Sequence, residues 1–314
     1  MNDSAATTNH DAQTHAEHNP LATARLAFVG CGVMAEAILA GLLRRELVAP
    51  GQIAASHPRE ARRRELRERY GVEVYESNRA AADFTAAPEV TREGRDASTQ
   101  EGGSLVVLAV KPQRLGGVLE ELRGAFSPHQ LVVSIVAGAR IETMADALAH
   151  RSIVRAMPNT PAQVGAGMTA WTPTSEVSEE QLRQVRAMLG ALGSEMLVET
   201  ENMIDMATAL SATGPTYIFM MMEALVDAGV HMGFSRHVAQ ELVTQTMLGS
   251  VLFARKSRKH PAELRNMVTS PGGTSAEAIY QMEKGSLRTV LSKAVYAAYQ
   301  RAVALGARSR PGRD

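Results

Sequence analysis

The chain lacks most of what would mark it for several broad classes of protein. It has one cysteine in 314 residues, Cys31, so no internal disulfide can form; a reducing, cytoplasmic setting is expected. Charge of one sign is missing too. Lys and Arg total 33 and Asp and Glu total 33, which leaves no global field to draw nucleic acid or a membrane surface. No long hydrophobic run is present: the uncharged stretch Met206 to Met222 is interrupted by Ser, Thr, Gly and Pro and falls short of the roughly 20 apolar residues of a membrane span. Residues 1–22 have neither a basic start nor an apolar core and read as a disordered tail, not a signal peptide. His10, His15 and His18 lie in that tail, the nine histidines are scattered, and no Ser/His/Asp or paired-carboxylate pattern stands out. No metal site, nuclease or hydrolase is therefore expected. The partners that remain are small molecules and further copies of the chain.

What is present begins with Leu26-Ala27-Phe28-Val29-Gly30-Cys31-Gly32-Val33-Met34-Ala35, an apolar strand running into a Gly-x-Gly-x-x-Ala turn and then a helix-spaced apolar face. In that context the pattern is a dinucleotide fingerprint. Gly30 makes the tight turn, Gly32 admits a pyrophosphate, and Ala35 keeps helix and strand close. The second strand is expected to end near Ile53 to Ser56, where an NAD-specific chain carries an acid for the ribose. Here Ser56-His57-Pro58-Arg59 has no carboxylate. A neutral or basic pocket suits a 2′-phosphate, so NADPH is expected, with NADH as the alternative. Arg59 also borders the charged run Glu60 to Arg69, and so reads equally well as the solvated face of the next helix. Cys31 sits in the turn, open to alkylation on this reading, and hydride chemistry does not require it as a nucleophile.

Strand-like and helical runs alternate from Leu26 to about Met157: Leu26 to Val29, Ile53 to Ala55, Val72 to Val74, Leu105 to Val110, Leu131 to Ile135, Ile153 to Ala156. That rhythm predicts parallel strands with crossover helices, and the nearly unbroken apolar runs at 105–110 and 131–136 predict strands covered on both faces. The segment 85–104, with Pro88, Gly94, Gly102 and Gly103, reads as a surface insertion. Ser178-Glu179-Glu180-Gln181 predicts a capped helix with Leu182, Val185, Leu189 and Leu192 on one face, closed by Gly193. A last strand is expected over Glu195 to Glu199. After Glu201 the pattern turns helical. The expected fold class is α/β: a Rossmann-like parallel sheet domain over 23–200, then an all-helical domain over 201–306 and a short tail, 307–314. The helix from Pro215 to Met232 is apolar on most sides, which fits burial in another subunit or, alternatively, within its own domain.

Near the C-terminus, Ser270-Pro271-Gly272-Gly273-Thr274-Ser275 leads directly into a helical pattern. Glycines let backbone N–H groups converge where a helix begins, and the helix end adds unpaired donors and a partial positive charge. Ser270, Gly273, Thr274 and Ser275 thus form a candidate grip for a small carboxylate. An ordinary Gly-rich turn with a Ser/Thr cap is the alternative.

Taken together, Phe28 to Leu43, Leu108 to Gln113, Val133 to Gly138, Val154 to Pro161, Leu210 to Tyr217, Glu223 to Leu225 and Pro261 to Glu283 resemble the pyrroline-5-carboxylate reductase family, nearly over the whole chain. The resemblance implies a Rossmann domain joined to a helical dimerisation domain, a homodimer or an assembly of dimers, and a site where the partners interlock. It implies NAD(P)H-dependent reduction of L-1-pyrroline-5-carboxylate to L-proline, the last step of proline biosynthesis. It also implies cofactor contacts from Gly30, Cys31, Gly32, Val33, Met34, Ser56, His57, Arg59, Asn78, Val110, Lys111, Pro112 and Ala137. Substrate contacts fall on Glu201, Thr274 and Ser275, with the Ser275 hydroxyl on the ring nitrogen as the catalytic group. The chain departs from the family at Ser275, where a threonine is usual, and at Ala212 and Thr213 in Ser211 to Tyr217. Arg258, Lys259, Met267 and the 85–104 insertion are further departures. A hydroxyacid dehydrogenase on the same plan would need a second-domain lysine for proton transfer, and no lysine occurs between Lys111 and Lys256. A reductase of another cyclic imine, such as pyrroline-2-carboxylate, or a non-catalytic NADPH-binding regulator remains as the alternative.

Overall fold

Alternating apolar runs and amphipathic segments become a doubly wound sheet in the computed structural model, which describes residues 19–86 and 103–308. The order is β1 (Arg25–Val29), α1 (Val33–Arg44), β2 (Ile53–Ser56), α2 (Glu60–Tyr70), β3 (Glu73–Tyr75), α3 (Asn78–Asp83), β4 (Ser104–Leu108) and α4 (Pro112–Glu121). It continues with β5 (Gln130–Ser134), α5 (Ile141–Leu148), β6 (Ile153–Met157), β7 (Gly167–Pro173), α6 (Glu179–Gly190) and β8 (Gly193–Leu197). Helices follow: α7 (Glu201–Ala207), α8 (Gly214–His231), α9 (Arg236–Ser257), α10 (Pro261–Met267), α11 (Thr274–Lys284) and α12 (Leu287–Arg308).

The strands form one sheet in the order β3-β2-β1-β4-β5-β6-β7-β8. β1 to β6 are parallel, β7 runs antiparallel to β6, and β8 is parallel to β7. Period-two alternation sends successive side chains to opposite faces. Leu26, Phe28, Leu105 and Val107 pack with Ile38 and Leu42 of α1 and Val185 and Leu189 of α6. Ala27, Val29, Val106 and Leu108 meet Leu115 and Leu119 of α4 and Met144 and Leu148 of α5. Helices on both faces explain why these strands are apolar throughout.

Several boundaries differ from the sequence expectation. Of the expected tail, residues 1–18 lie outside the described residues, but Leu21 is fully buried and Gln52 Nε2 donates to the carbonyls of Leu21, Ala22 and Ala24. The fold therefore starts by Asn19, whose Nδ2 donates to Leu47 O at 2.8 Å. Residues 87–102 of the expected insertion are likewise outside the described residues, and its ends belong to the sheet region: Ser104 Oγ donates to Thr85 O at 2.8 Å. At the other terminus α12 runs through 307–308, and 309–314 are outside the described residues. The capping box forms, Ser178 Oγ accepting from Gln181 N–H at 3.3 Å and Gln181 Oε1 accepting from Ser178 N–H at 3.0 Å. Gly193 does not close that helix. It opens β8, where φ is +139° and a β-carbon would lie 2.3 Å from Gly167 O.

In the helical region, α7 passes into a π-helical turn, Thr208–Ala212, before α8 begins. Thr208 O accepts from both the N–H and the Oγ1 of Thr213 at 2.9 Å, and Tyr217 Oη donates to Ala209 O at 3.0 Å, so side chains reinforce the turn. Pro215 sits in the first turn of α8, where its missing N–H costs nothing. Only Val226 and Gly229 of α8 are buried, whereas Phe219 and Met220 are 61% and 65% exposed. Large apolar side chains also stand open on α9, including Leu252 and Phe253, and on α12, including Val290 and Tyr296. Burial of α8 within its own chain, the alternative raised by its sequence, is thus excluded.

Candidate active site

The sheet order reverses direction between β1 and β4, so the turns after these strands part to leave a crevice at their carboxyl ends. Gly30 takes φ +83°, and a β-carbon there would lie 2.5 Å from Val110 Cγ1. Only glycine lets the first turn close against the residue following β4. Above Gly32, by contrast, a β-carbon would meet nothing within 4 Å. The leading N–H groups of α1, on Val33 and Met34, have no acceptor among the described residues, and Gly32 supplies no side-chain cap. An open, uncapped helix N-terminus over a glycine fits a pyrophosphate on both geometry and charge.

Around this opening the remaining expected residues divide into rim and framework. Lys111, Pro112 and Arg59 are exposed, while Val110, Ala137 and His57 are half-buried. Arg59 makes no ion pair among the described residues, whereas Arg62 and Arg63 behind it are paired with Glu36 and Glu60. His57 donates its N–H to Tyr75 O at 3.0 Å, and its Nδ1 accepts from Arg59 N–H at 3.2 Å. Burial, then the positive charges of Arg59, Arg62 and Arg63, holds its imidazole below the ordinary range.

Ser56, Asn78 and Cys31 form the framework of the glycine turn. Ser56 is fully buried, and its Oγ accepts from Gly30 N–H at 3.0 Å and donates to Asn78 Oδ1 at 2.7 Å. Asn78 Nδ2 in turn donates to Glu121 Oε2 at 2.7 Å. These polar groups hold the glycine turn in place, with Asn78 half-buried between Ser56 and Glu121. Cys31 is buried, its N–H donates to Ser56 O at 2.9 Å, and burial pushes its thiol up to about 12. That thiol is shielded and protonated, not open to alkylation.

The second candidate element is the turn into α11. Gly272 takes φ +69°, and Gly273 caps the helix in extended conformation with no side-chain cap. A β-carbon on Gly273 would come within 2.4 Å of Ser270 Oγ and 3.2 Å of Ser270 O, so the turn is close at this point. The N–H groups of Thr274 and Ser275 have no acceptor among the described residues, and neither do their hydroxyls. Four unpaired donors therefore sit at a positive helix end, which suits a carboxylate. Ser270 is exposed, and its carbonyl accepts from Gly273 N–H at 3.1 Å to close the turn.

Glu201 is placed differently from expectation. Its Oε1 accepts from Ile141 N–H and from Arg155 Nη1, both at 2.9 Å. It is a structural anion that caps α5 and pairs with a buried guanidinium, a role its sequence surroundings did not disclose. Asn159, also missed, bridges the sheet to the π turn: its Oδ1 accepts from Met168 N–H at 2.9 Å and its Nδ2 donates to Ser211 Oγ at 3.3 Å. Among the described residues, no three or more His, Cys, Asp or Glu side chains gather as a metal site, and no helix is long and apolar enough to cross a membrane.

A doubly wound sheet with a glycine turn opening on a bare helix end, followed by a helical region rich in exposed apolar surface, defines a nicotinamide-dependent oxidoreductase that associates through its second part. A model described as pyrroline-5-carboxylate reductase dimerisation matches residues 201–305, and one described as NADP oxidoreductase coenzyme F420-dependent matches residues 25–138. The chain is 39% identical over 282 residues to a pyrroline-5-carboxylate reductase of Synechocystis sp., covering 90% of this chain and 98% of the relative. It is 37% identical over 286 residues to that of Pseudomonas aeruginosa, covering 91% and 98%. A solved pyrroline-5-carboxylate reductase from Coxiella burnetii superposes with TM-score 0.77 at 34% identity, covering 90% of this chain and 98% of that one. A Plasmodium falciparum pyrroline carboxylate reductase with NADP bound gives 0.78 at 28% identity, covering 91% and 99%. The chain belongs to the pyrroline-5-carboxylate reductase family.

Proposed function

We propose that this protein reduces L-1-pyrroline-5-carboxylate to L-proline with NADPH in the cytoplasm, as a homodimer or an assembly of dimers, with the division between sheet and helical domains falling near Glu201. The observation that carries the reading is the pair of uncapped helix N-termini, on α1 and α11, each with free donors behind a glycine turn. One suits a pyrophosphate and the other an amino-acid carboxylate. The exposed apolar faces of α8, α9 and α12 fit a partner subunit, which brings the α11 turn to a cofactor crevice in the interlocked pair.

NADPH, when bound, supplies the hydride that converts the ring C=N bond to C–N. The chain's own residues bind and orient. Val33 and Met34 N–H groups hold the pyrophosphate, and Arg59, free of competing carboxylates, takes the 2′-phosphate. Thr274 and Ser275 N–H groups grip the substrate carboxylate, which fixes the ring, and the Ser275 Oγ hydrogen-bonds the ring nitrogen. The electrophile is the imine protonated at nitrogen, and the proton, taken from water, stays on the product amine. Glu201 acts from behind by fixing the start of α5.

The test follows NADPH oxidation by the purified protein with pyrroline-5-carboxylate and pyrroline-2-carboxylate offered separately. Turnover with the first and formation of L-proline is expected. Preference for the second reassigns the substrate, and NADPH binding with no turnover of either refutes the enzyme reading.

A further inference from the structure

The seam between sheet and helical region holds a cluster of four charges, of which only Glu201 has so far been given a role. Arg155 on β6 is 1% exposed, and it donates from Nη1 to Glu201 Oε1 at 2.9 Å and from Nη2 to Asp205 Oδ1 at 2.7 Å. Asp205 is equally buried and faces a second guanidinium, with Arg140 Nη2 2.8 Å from its Oδ2. Arg140 Nη1 also donates to Asn202 Oδ1 at 3.2 Å. Two cations thus balance two anions, as a desolvated cluster must.

Arg140 does more than balance charge because of where it stands. It ends the turn after β5 that includes Ala137, at the carboxyl edge of the sheet on which the crevice opens. α12 presses on that turn from the far side. A β-carbon on Gly138, at φ +75°, would lie 3.0 Å from Leu305 Cβ and 3.1 Å from Leu305 C, and one on Gly306 would lie 2.8 Å from Arg140 Nε. Backbone meets backbone at the first contact, and a guanidinium lies against helix backbone at the second. Glu201 also holds Ile141 N–H, so the helical region meets this turn at Gly138, Arg140 and Ile141, while Ala139 N–H donates to Val136 O within the sheet domain.

We propose that Arg140 is a positioning residue for NADPH, setting the height of Ala137 against the cofactor from the seat of α7 and α12. The proposal rests on the reading of the crevice as the NADPH site. An arginine is needed because its planar fork reaches Asp205 and Asn202 together while lying flat on Gly306; a lysine keeps the charge and loses one arm.

The test titrates NADPH into the intact wild-type, Arg140→Lys and Arg140→Gln proteins by nicotinamide fluorescence, alongside steady-state kinetics and thermal melts. For Arg140→Gln the NADPH Kd and KM are expected to rise about tenfold, a usual size for coupling between sites. The KM for the imine stays unchanged, and Arg140→Lys recovers part of the loss. Should Arg140→Gln not fold, Arg140→Lys carries the test, with a smaller rise of the same kind. A lower Tm with an unchanged NADPH Kd overturns the proposal, as does an equal rise in both KM values. Wild-type protein that binds no NADPH overturns the crevice assignment itself, a failure plainly different from the other two.

Discussion

Gly30 and Gly32 stand two residues apart and should respond to the same substitution in opposite ways. In Gly30→Ala the new methyl enters a residue at φ +83° and lies 2.5 Å from Val110 Cγ1, with Val110 Cα and N at 3.2 and 3.3 Å. A left-handed alanine costs about 1 kcal/mol or more, and overpacking against a backbone that cannot retreat adds about 1 to 3 kcal/mol. The sum, about 2 to 4 kcal/mol, should appear as a lower urea midpoint. In Gly32→Ala the backbone is at φ −83° and the methyl meets nothing within 4 Å. Stability should move by no more than about 0.5 kcal/mol, whereas the methyl occupies the space reserved for the pyrophosphate. NADPH affinity, read by fluorescence titration, should fall at least about tenfold, comparable to losing one charge-assisted hydrogen bond. Wild-type NADPH affinity in a normally folded Gly32→Ala protein would refute the assignment of this turn to the cofactor.

Three further outcomes follow from the site and its surroundings. Ser275→Ala should lower kcat by about tenfold to a hundredfold while leaving NADPH affinity intact, and Ser275→Thr should retain activity because the hydroxyl is kept; an unimpaired alanine variant removes that hydroxyl from the mechanism. Arg59→Asp should shift selectivity toward NADH, checked by kcat/KM with each nucleotide, and unchanged selectivity would place the 2′-phosphate elsewhere. His150 is buried against Phe126 with Nε2 on Gln130 O at 2.8 Å, and burial holds its pKa below the ordinary 6.5. The neutral ring is favoured in the fold, so its contribution is complete above 6.5 and is lost as the pH falls through the lowered folded value. Urea midpoints at neutral and mildly acidic pH should therefore converge for His150→Gln more than for wild type, and an identical acid loss in both would exclude His150 as a source.

The parallel strands were legible because strands covered on both faces must be apolar throughout, and 105–108 and 131–134 are. β7 was not read: Gly167 to Pro173 mixes Gly, Thr and Pro with Met and Trp, and its pairing with β6 is decided by Trp171 reaching full burial, a tertiary event. Both glycine turns were recognised from local chemistry alone, since a turn and a helix end are local objects. Ser56, Asn78 and Glu201 were located by motif, but the groups they bond to were not. A serine at a strand end looks the same in sequence whether it faces a ligand or accepts a hydrogen bond from Gly30, and the choice is fixed by Asn78 and Glu121 arriving from other elements. Arg155 and Asp205 gave no signal for the same reason, because each is tolerable only once the other is in place.

The π turn at Thr208–Ala212 has a further consequence. An α-helix advances about 100° per residue, and the wider π winding turns through less, so the five residues 208–212 cover nearly the angle that four α-helical residues would. The turn therefore takes in one extra residue and leaves the faces downstream close to their α-helical phase. Rewinding all five residues as α-helix would instead rotate Phe219, Leu225 and their neighbours around the helix axis, and the stripe meant for a second subunit would point somewhere else, although no residue on it had been altered.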